Sequence, residues 1–410
     1  MIPEAQETGQ GSPFRHRAFA LYWWARFAAV FAVQIVSVAV GWQIYDHTRD
    51  AFLLGLVGLV QFLPSLVLVL VTGSVADRYN RRMVMAGCIA VEVLCALALF
   101  VLAYEHYFSV GSIFAVLGVL GIARAFISPA VQSLVVNLVP KEDFATAIAW
   151  NTSSWQIGTI VGPVAGGLLY GVSPQTAYAA AAAMLCMAVV LTLMIPKPPQ
   201  KTVDAPASWE TLSAGFRYVW NSPIVLGAIS LDLFAVLLGG ATALMPVFAR
   251  DILDVGPWGL GLLRAAPGIG AIAMSIYLVN NPIRNHAGVV MFATVALFGA
   301  FTMAFGASTI AWVSIAALAA LGAADMISVY IRETLVQLAT PDAVRGRVNA
   351  VNMVFIGASN ELGEFRAGTM AALIGAVPAV LFGGAGAIVV AGLWAWWFPQ
   401  LRRANRLDGR

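Results

Sequence analysis

The chain has 410 residues, of which 60% are hydrophobic and only 10% charged, and its net charge is +3. A soluble domain carries about 25% charged residues, so this composition excludes a water-soluble fold, and so small a net charge gives no footing for nucleic acid as a partner. The apolar surplus must face lipid: at about 20 apolar residues per spanning helix there is room for roughly a dozen spans.

In chain order, residues 1–17 are expected as a cytoplasmic tail, since the polar start lacks the charged-apolar-small order of a signal peptide. Apolar runs then predict helices over 18–45, 52–76, 83–104, 111–138, 144–170 and 175–195. A polar, proline-bearing linker follows over 196–222. In its second part Trp209, Leu212, Phe216 and Trp220 share one face, the pattern of a helix lying on the membrane surface. Six more runs predict helices over 223–248, 258–279, 288–305, 310–338, 348–373 and 378–398, before a tail over 399–410. The organisation expected is therefore an all-α membrane protein of twelve spans, with bundles over 18–195 and 223–398. Sixteen of the 23 Lys and Arg fall on the side of the termini and three on the other, which places both termini in the cytoplasm.

The halves repeat weakly. Asn151 falls on Asn352, Gly162 on Gly363 and Gly167 on Gly368 at a common offset of 201 residues. Helices 1, 4, 7 and 10 each carry one charge well inside the apolar run: Arg26, Arg124, Asp232 and Asp325. A charge at mid-bilayer costs about 2.5 kcal/mol or more, so it is placed against a partner or a wet cavity. Either these four hold the halves together as ion pairs or they work in transport. Glu92 lies in mid helix 3. Helix 11 carries Glu361 and Glu364, three apart on one face, with Arg366 close behind; they bind a cation or pair with that arginine.

Cys88, Cys95 and Cys186 lie in apolar runs and the four histidines in or beside loops, so neither a disulfide framework nor a metal site is expected. No nucleophile–base set or phosphate loop points to an enzyme. A channel would need a filter or a charged ring.

Between helices 2 and 3 stands Gly73-Ser74-Val75-Ala76-Asp77-Arg78-Tyr79-Asn80-Arg81-Arg82. This stretch resembles the G-x-x-x-D-R-x-x-R-R/K loop of the major facilitator superfamily. The resemblance implies two six-helix bundles rocking about a midplane site, with helices 1, 4, 7 and 10 lining the cavity. Arg26, Arg124, Asp232, Asp325, Gln34 and Phe234 would then be cavity residues. No cofactor is expected, and a proton gradient would drive transport, with Asp232, Asp325 and Glu92, in that order, and Arg124 as proton-coupling candidates. Gly73, Asp77, Arg78, Arg81, Arg82, Arg345 and Arg347 would form a cytoplasmic latch, Asp77 favouring the positive start of helix 11 or pairing locally with Arg81 or Arg82.

Gly158, Gly162, Pro163, Gly166 and Gly167 read as a small-residue packing seam with a proline kink. They also resemble the helix 5 motif of drug-proton antiporters, with Ala149 in place of its earliest glycine, and Arg124 resembles the buried helix 4 arginine of those exporters. The enterobactin-exporter-like branch is matched more closely, by WQIYDHTRDAFLLGLVGLVQFLP, SPAVQSLVVNLVPKEDFATAIAWN and LMPVFARDILDVGPWGLGLLRAAPGIGA. That branch implies a monomeric carrier in a bacterial inner membrane, among lipids, exporting a siderophore-like or drug-like solute. Lysophospholipid transport and solute uptake stand as alternatives.

Overall fold

The computed structural model describes residues 12–105, 107–135, 137–197, 209–283 and 285–404. Among them every regular element is a helix. The first set is α1 (Arg17–Thr48), α2 (Ala51–Arg78), α3 (Arg81–Tyr104), α4 (Val110–Val135), α5 (Phe144–Val172) and α6 (Pro174–Met194). In the linker lies α7 (Trp209–Asn221). The second set comprises α8 (Pro223–Gly239), the one-turn α9 (Met245–Val247), α10 (Gly256–Asn280), α11 (Ala287–Ala307), α12 (Ala311–Ala339), α13 (Asp342–Ile374) and α14 (Ala376–Trp397), closed by α15 (Pro399–Arg402). Residues 1–11, 198–208 and 405–410 of the expected tails and linker, and the side chains of Asp77, Trp209 and Leu212, lie outside the described residues.

Among the described residues ten segments are long and apolar enough to cross a membrane, α8 and the turns after it counting as one. α5 and α13 complete the two sets of six. Glycines and hydroxyl residues dilute the first and charges the second, yet α5 packs on α1 and α10, and α13 on α2 and α8. Local chemistry sets several starts. The Asp50 carboxylate accepts from the Phe52 amide at 2.8 Å, Asn80 from the Arg82 amide at 3.1 Å, and Pro223 occupies the first turn of α8.

Three boundaries differ from the sequence reading. α2 continues through Gly73 to Arg78 with the Tyr79 amide bonded to the Val75 carbonyl at 3.0 Å, so the motif's first half is helix and only Tyr79 and Asn80 connect it to α3. α13 begins at Asp342, which puts Arg345 and Arg347 inside its first turns. Predicted helix 7 breaks after Gly239 into a 3-10 turn (Thr242–Leu244), α9 and a π-helical turn (Phe248–Ile252).

Two seams join the halves. In the first, α2 meets α13 so closely that a methyl group on Gly368 would stand 2.7 Å from the Gly55 Cα. In the second, α5 meets α10, and a methyl on Gly261 would fall 2.5 Å from the Pro163 carbonyl oxygen. The helix 5 motif therefore divides its work. Gly158, Gly162 and Gly166 face Val30, Gln34 and Ile35 of α1, while Pro163 and Gly167 face α10.

A clasp of charges closes the end of the bundle away from the termini. Arg49, just after α1, donates to the Asp251 carboxylate at 2.6 Å. The Tyr45 hydroxyl donates to the same carboxylate, and Arg250 pairs with Asp46. Arg49-Asp50 and Arg250-Asp251 are equivalent at the 201-residue offset, so the repeat itself supplies a dipeptide to each side.

Candidate functional site

A cavity of about 490 Å³ lies between the halves, inside the clasp. α1 lends Gln34 and Ser37, α2 Gln61, α4 Arg124 and α5 Thr159; from the second half come Thr242, Arg264 of α10, and Asn360, Glu361 and Glu364 of α13. Polar side chains from both sets thus converge on one chamber, whose volume falls within the roughly 300–1,000 Å³ of small-molecule sites.

Four charges meet there. The two acids are three apart on α13 and share the face turned to Gly58 of α2, where absence of a side chain leaves room for both carboxylates. Neither arginine rests on an acid. Arg124 donates to the Gln61 side-chain oxygen at 2.9 Å, and Arg264 reaches across the halves to the Ser37 hydroxyl at 2.7 Å. Arg264 and Glu364 nevertheless lie within electrostatic reach of each other, as do Arg124 and Glu361. Arg366 does not pair with these acids. It turns to the broken end of α8, donating to the Leu238 carbonyl at 2.6 Å, where the helix leaves carbonyls without amide partners.

Arg124 also lines two further chambers. One, of about 250 Å³, runs into the first half beside Arg26, Gln34, Glu92, Ser128 and Gln132. The other, of about 460 Å³, lies toward the termini between α2, α4 and α13, where Phe62, Leu66, Met353 and Val354 stand beside Ser128 and Gln132.

Several placements depart from the expected cavity. Asp232 pairs with Arg332, both largely buried inside the second set, and Asp325 lies within reach of the two. Neither acid lines the three chambers, because each finds its partner in its own half. Phe234 packs on Trp394 with ring centroids 5.1 Å apart and is not part of those linings. Arg26 borders the first-half chamber and donates to Asn151 at 2.5 Å. Arg264, one of the three cations counted on the side away from the termini, sits in the central cavity.

Arg81 donates to the Ser133 carbonyl of α4 at 3.1 Å, and Arg82 to the Ile195 carbonyl beyond α6. Arg345 pairs with Asp342 at 2.6 Å, whereas Arg78 and Arg347 are exposed. On the same face α7 is held by the Tyr218 hydroxyl, which donates to the Ala339 carbonyl at 2.7 Å, and it leaves Trp220 76% exposed.

A family model described as transmembrane secretion effector matches residues 8–409. The enterobactin exporter EntS of Shigella boydii serotype 4 is 26% identical over 403 residues, spanning 95% of this chain and 93% of that protein. Among solved structures, a POT family transporter in complex with 5-aminolevulinic acid superposes with a TM-score of 0.75 at 11% identity, over 94% of this chain and 96% of that one. A bacterial homologue of the human lysosomal transporter Spinster, in an inward-facing and unoccupied conformation, gives 0.72 at 14% identity, over 98% and 99%. At such identities the structural likeness concerns the fold alone.

Proposed function

The chain belongs to the transmembrane secretion effector family, a branch of the major facilitator superfamily of membrane transporters, and from that premise we propose that it is a proton-coupled exporter working by alternating access. Its cargo is a small amphipathic solute, siderophore-like or drug-like, and its setting a bacterial inner membrane with both termini in the cytoplasm. The observation that carries the reading is the central cavity, walled by both halves and holding Arg124, Arg264, Glu361 and Glu364 together. Buried charges are costly unless they serve a wet, functional site. With the clasp closed at the far end, that cavity is poised to load from the side of the termini. Cargo release requires the clasp, the Arg264–Ser37 bond and the two seams to yield as the halves rock.

A lysophospholipid carrier is the second reading, favoured by the chamber between α2, α4 and α13, whose apolar wall and polar floor suit an acyl chain and a headgroup. Purified protein in proteoliposomes discriminates between the two. Enterobactin, ethidium and lysophosphatidylethanolamine are offered under an imposed proton gradient, with an internal pH dye reporting proton flux. Export predicts that enterobactin or ethidium moves against proton flow, and that Glu361→Gln and Glu364→Gln each slow that movement at least about tenfold. Gradient-driven movement of the lysolipid alone would establish the second reading, and no solute-dependent proton flux would defeat both.

A further inference from the structure

Glu92 belongs to neither the central cavity nor any ion pair so far described. It projects from the middle of α3, is 2% exposed, and one of its carboxyl oxygens is buried with no hydrogen-bond partner. A carboxylate in that position is anomalous, because burying a charge without donors is expensive. It is not sealed in packing, however, since it lines the 250 Å³ chamber of the first half together with Arg26, Gln34 and Arg124.

The charged and titratable groups around it are few. α4 contributes Arg124 and α1 contributes Arg26, while Cys88 and Cys95 flank it on α3 itself. Arg124 alone among them also lines the central cavity, where Glu361 of the other half is within its electrostatic reach. It therefore stands between two acids, one on each side of the interface. It rests at present on the neutral oxygen of Gln61.

We propose that Glu92 is the carrier's proton site, housed apart from the cargo, and that Arg124 transmits its occupancy to the cargo chamber. When Glu92 is ionised, Arg124 is drawn toward it, leaving Glu361 and Glu364 open to a cationic or hydrogen-bond-donating group of the cargo. When one proton from water joins the Glu92 carboxylate, Arg124 turns to Glu361 and takes the cargo's place. Only hydrogen bonds are exchanged. Proton and cargo thereby exclude one another without sharing a residue, the relation an exchanger needs. This assignment rests on the reading of a proton-coupled carrier for its direction, and it narrows the cargo to solutes bearing an amine or several donors.

The test needs no cargo. Dicyclohexylcarbodiimide, an apolar reagent for protonated carboxyls in membranes, is applied to the full-length protein in proteoliposomes between about pH 5 and about pH 9, and the adducts are located by mass spectrometry. Glu92 should be labelled at low pH, and labelling should fall by about tenfold per pH unit above its midpoint. Arg124→Gln should change the pH at which labelling disappears, while Arg78→Gln on the exposed face leaves it in place. Labelling of Glu92 that ignores pH, no adduct there at any pH, or a profile indifferent to Arg124→Gln overturns the proposal. A protein labelled as expected that moves none of the offered solutes would instead count against export. Where the protein exports enterobactin or ethidium, Glu92→Gln, which fixes the neutral form, should slow solute exchange about tenfold and abolish its response to the proton gradient; exchange that keeps that response also overturns the proposal.

Discussion

At the level of single residues, the protein spends its arginines on two different problems. Some are structural staples. Arg81, Arg82 and Arg366 reach carbonyl groups at the ends of α4, α6 and α8, where a helix runs out of amide donors. Removing such a donor strands a buried acceptor at a cost of about 1–3 kcal/mol. Arg366→Met should accordingly lower the thermal unfolding midpoint in detergent by several degrees, read by intrinsic tryptophan fluorescence, while Arg347→Met at an exposed position leaves it unchanged. Others are held near acids without touching them, as Arg124 and Arg264 are. A guanidinium resting on Gln61 or Ser37 is free to change partner at small cost. A direct buried ion pair such as Asp232–Arg332 is not, because separating it leaves two unpaired charges. That difference separates the mobile charges of this protein from its fixed ones.

Among the elements, α2 with α13 and α5 with α10 carry the interface. α5 has one glycine face for its neighbour α1 and a second for α10, so the motif is a two-sided packing surface. Gly261→Val should overpack the second seam at a cost of about 1–3 kcal/mol. It should also abolish transport without preventing membrane insertion, as checked by expression level and proteoliposome flux. The clasp is a separate device. Its Arg49–Asp251 pair is partly exposed, and such pairs are worth about 0.2–1 kcal/mol. Asp251→Ala should therefore raise the population open at that end by no more than about fivefold for that pair. A cysteine placed at Ser37 in a background free of Cys88, Cys95 and Cys186 reports it through its reaction with an impermeant thiol reagent. Exchanging the pair, Arg49→Asp with Asp251→Arg, should return the reactivity toward the starting level.

For the molecule as a whole, the helices were legible because lipid imposes a one-dimensional rule: long apolar runs mark the spans. Even α5 and α13, the most diluted of the set, read as runs over 144–170 and 348–373, and the repeat relates them through Gly162 with Gly363 and Gly167 with Gly368. The site was less legible, for a physical reason. A charge within a span advertises a need for a partner but not which side of its helix faces the other half. Asp232 and Asp325 satisfied the first criterion and found Arg332 at home. Arg264 counts by sequence among the cations of the far side yet is central, and no sequence pattern places Gly58 opposite Glu361 and Glu364. The signal in the sequence that could have found them was the density of charge on one span, Glu361, Glu364 and Arg366. The two halves also differ in a way the repeat conceals.

α1 runs unbroken for 32 residues, whereas its counterpart stops at Gly239 and resumes as three short turns that carry Arg250 and Asp251. One half therefore behaves as a stiff mast and the other as a jointed arm whose fingertip grips it. If the arm pivots at Gly239–Gly240, with Arg366 as the pin, its shaft can begin to tilt before the grip lets go. The lower chamber would then reshape first and the far gate part last, so that a loaded intermediate sealed at both ends follows from the unequal build of two otherwise related halves.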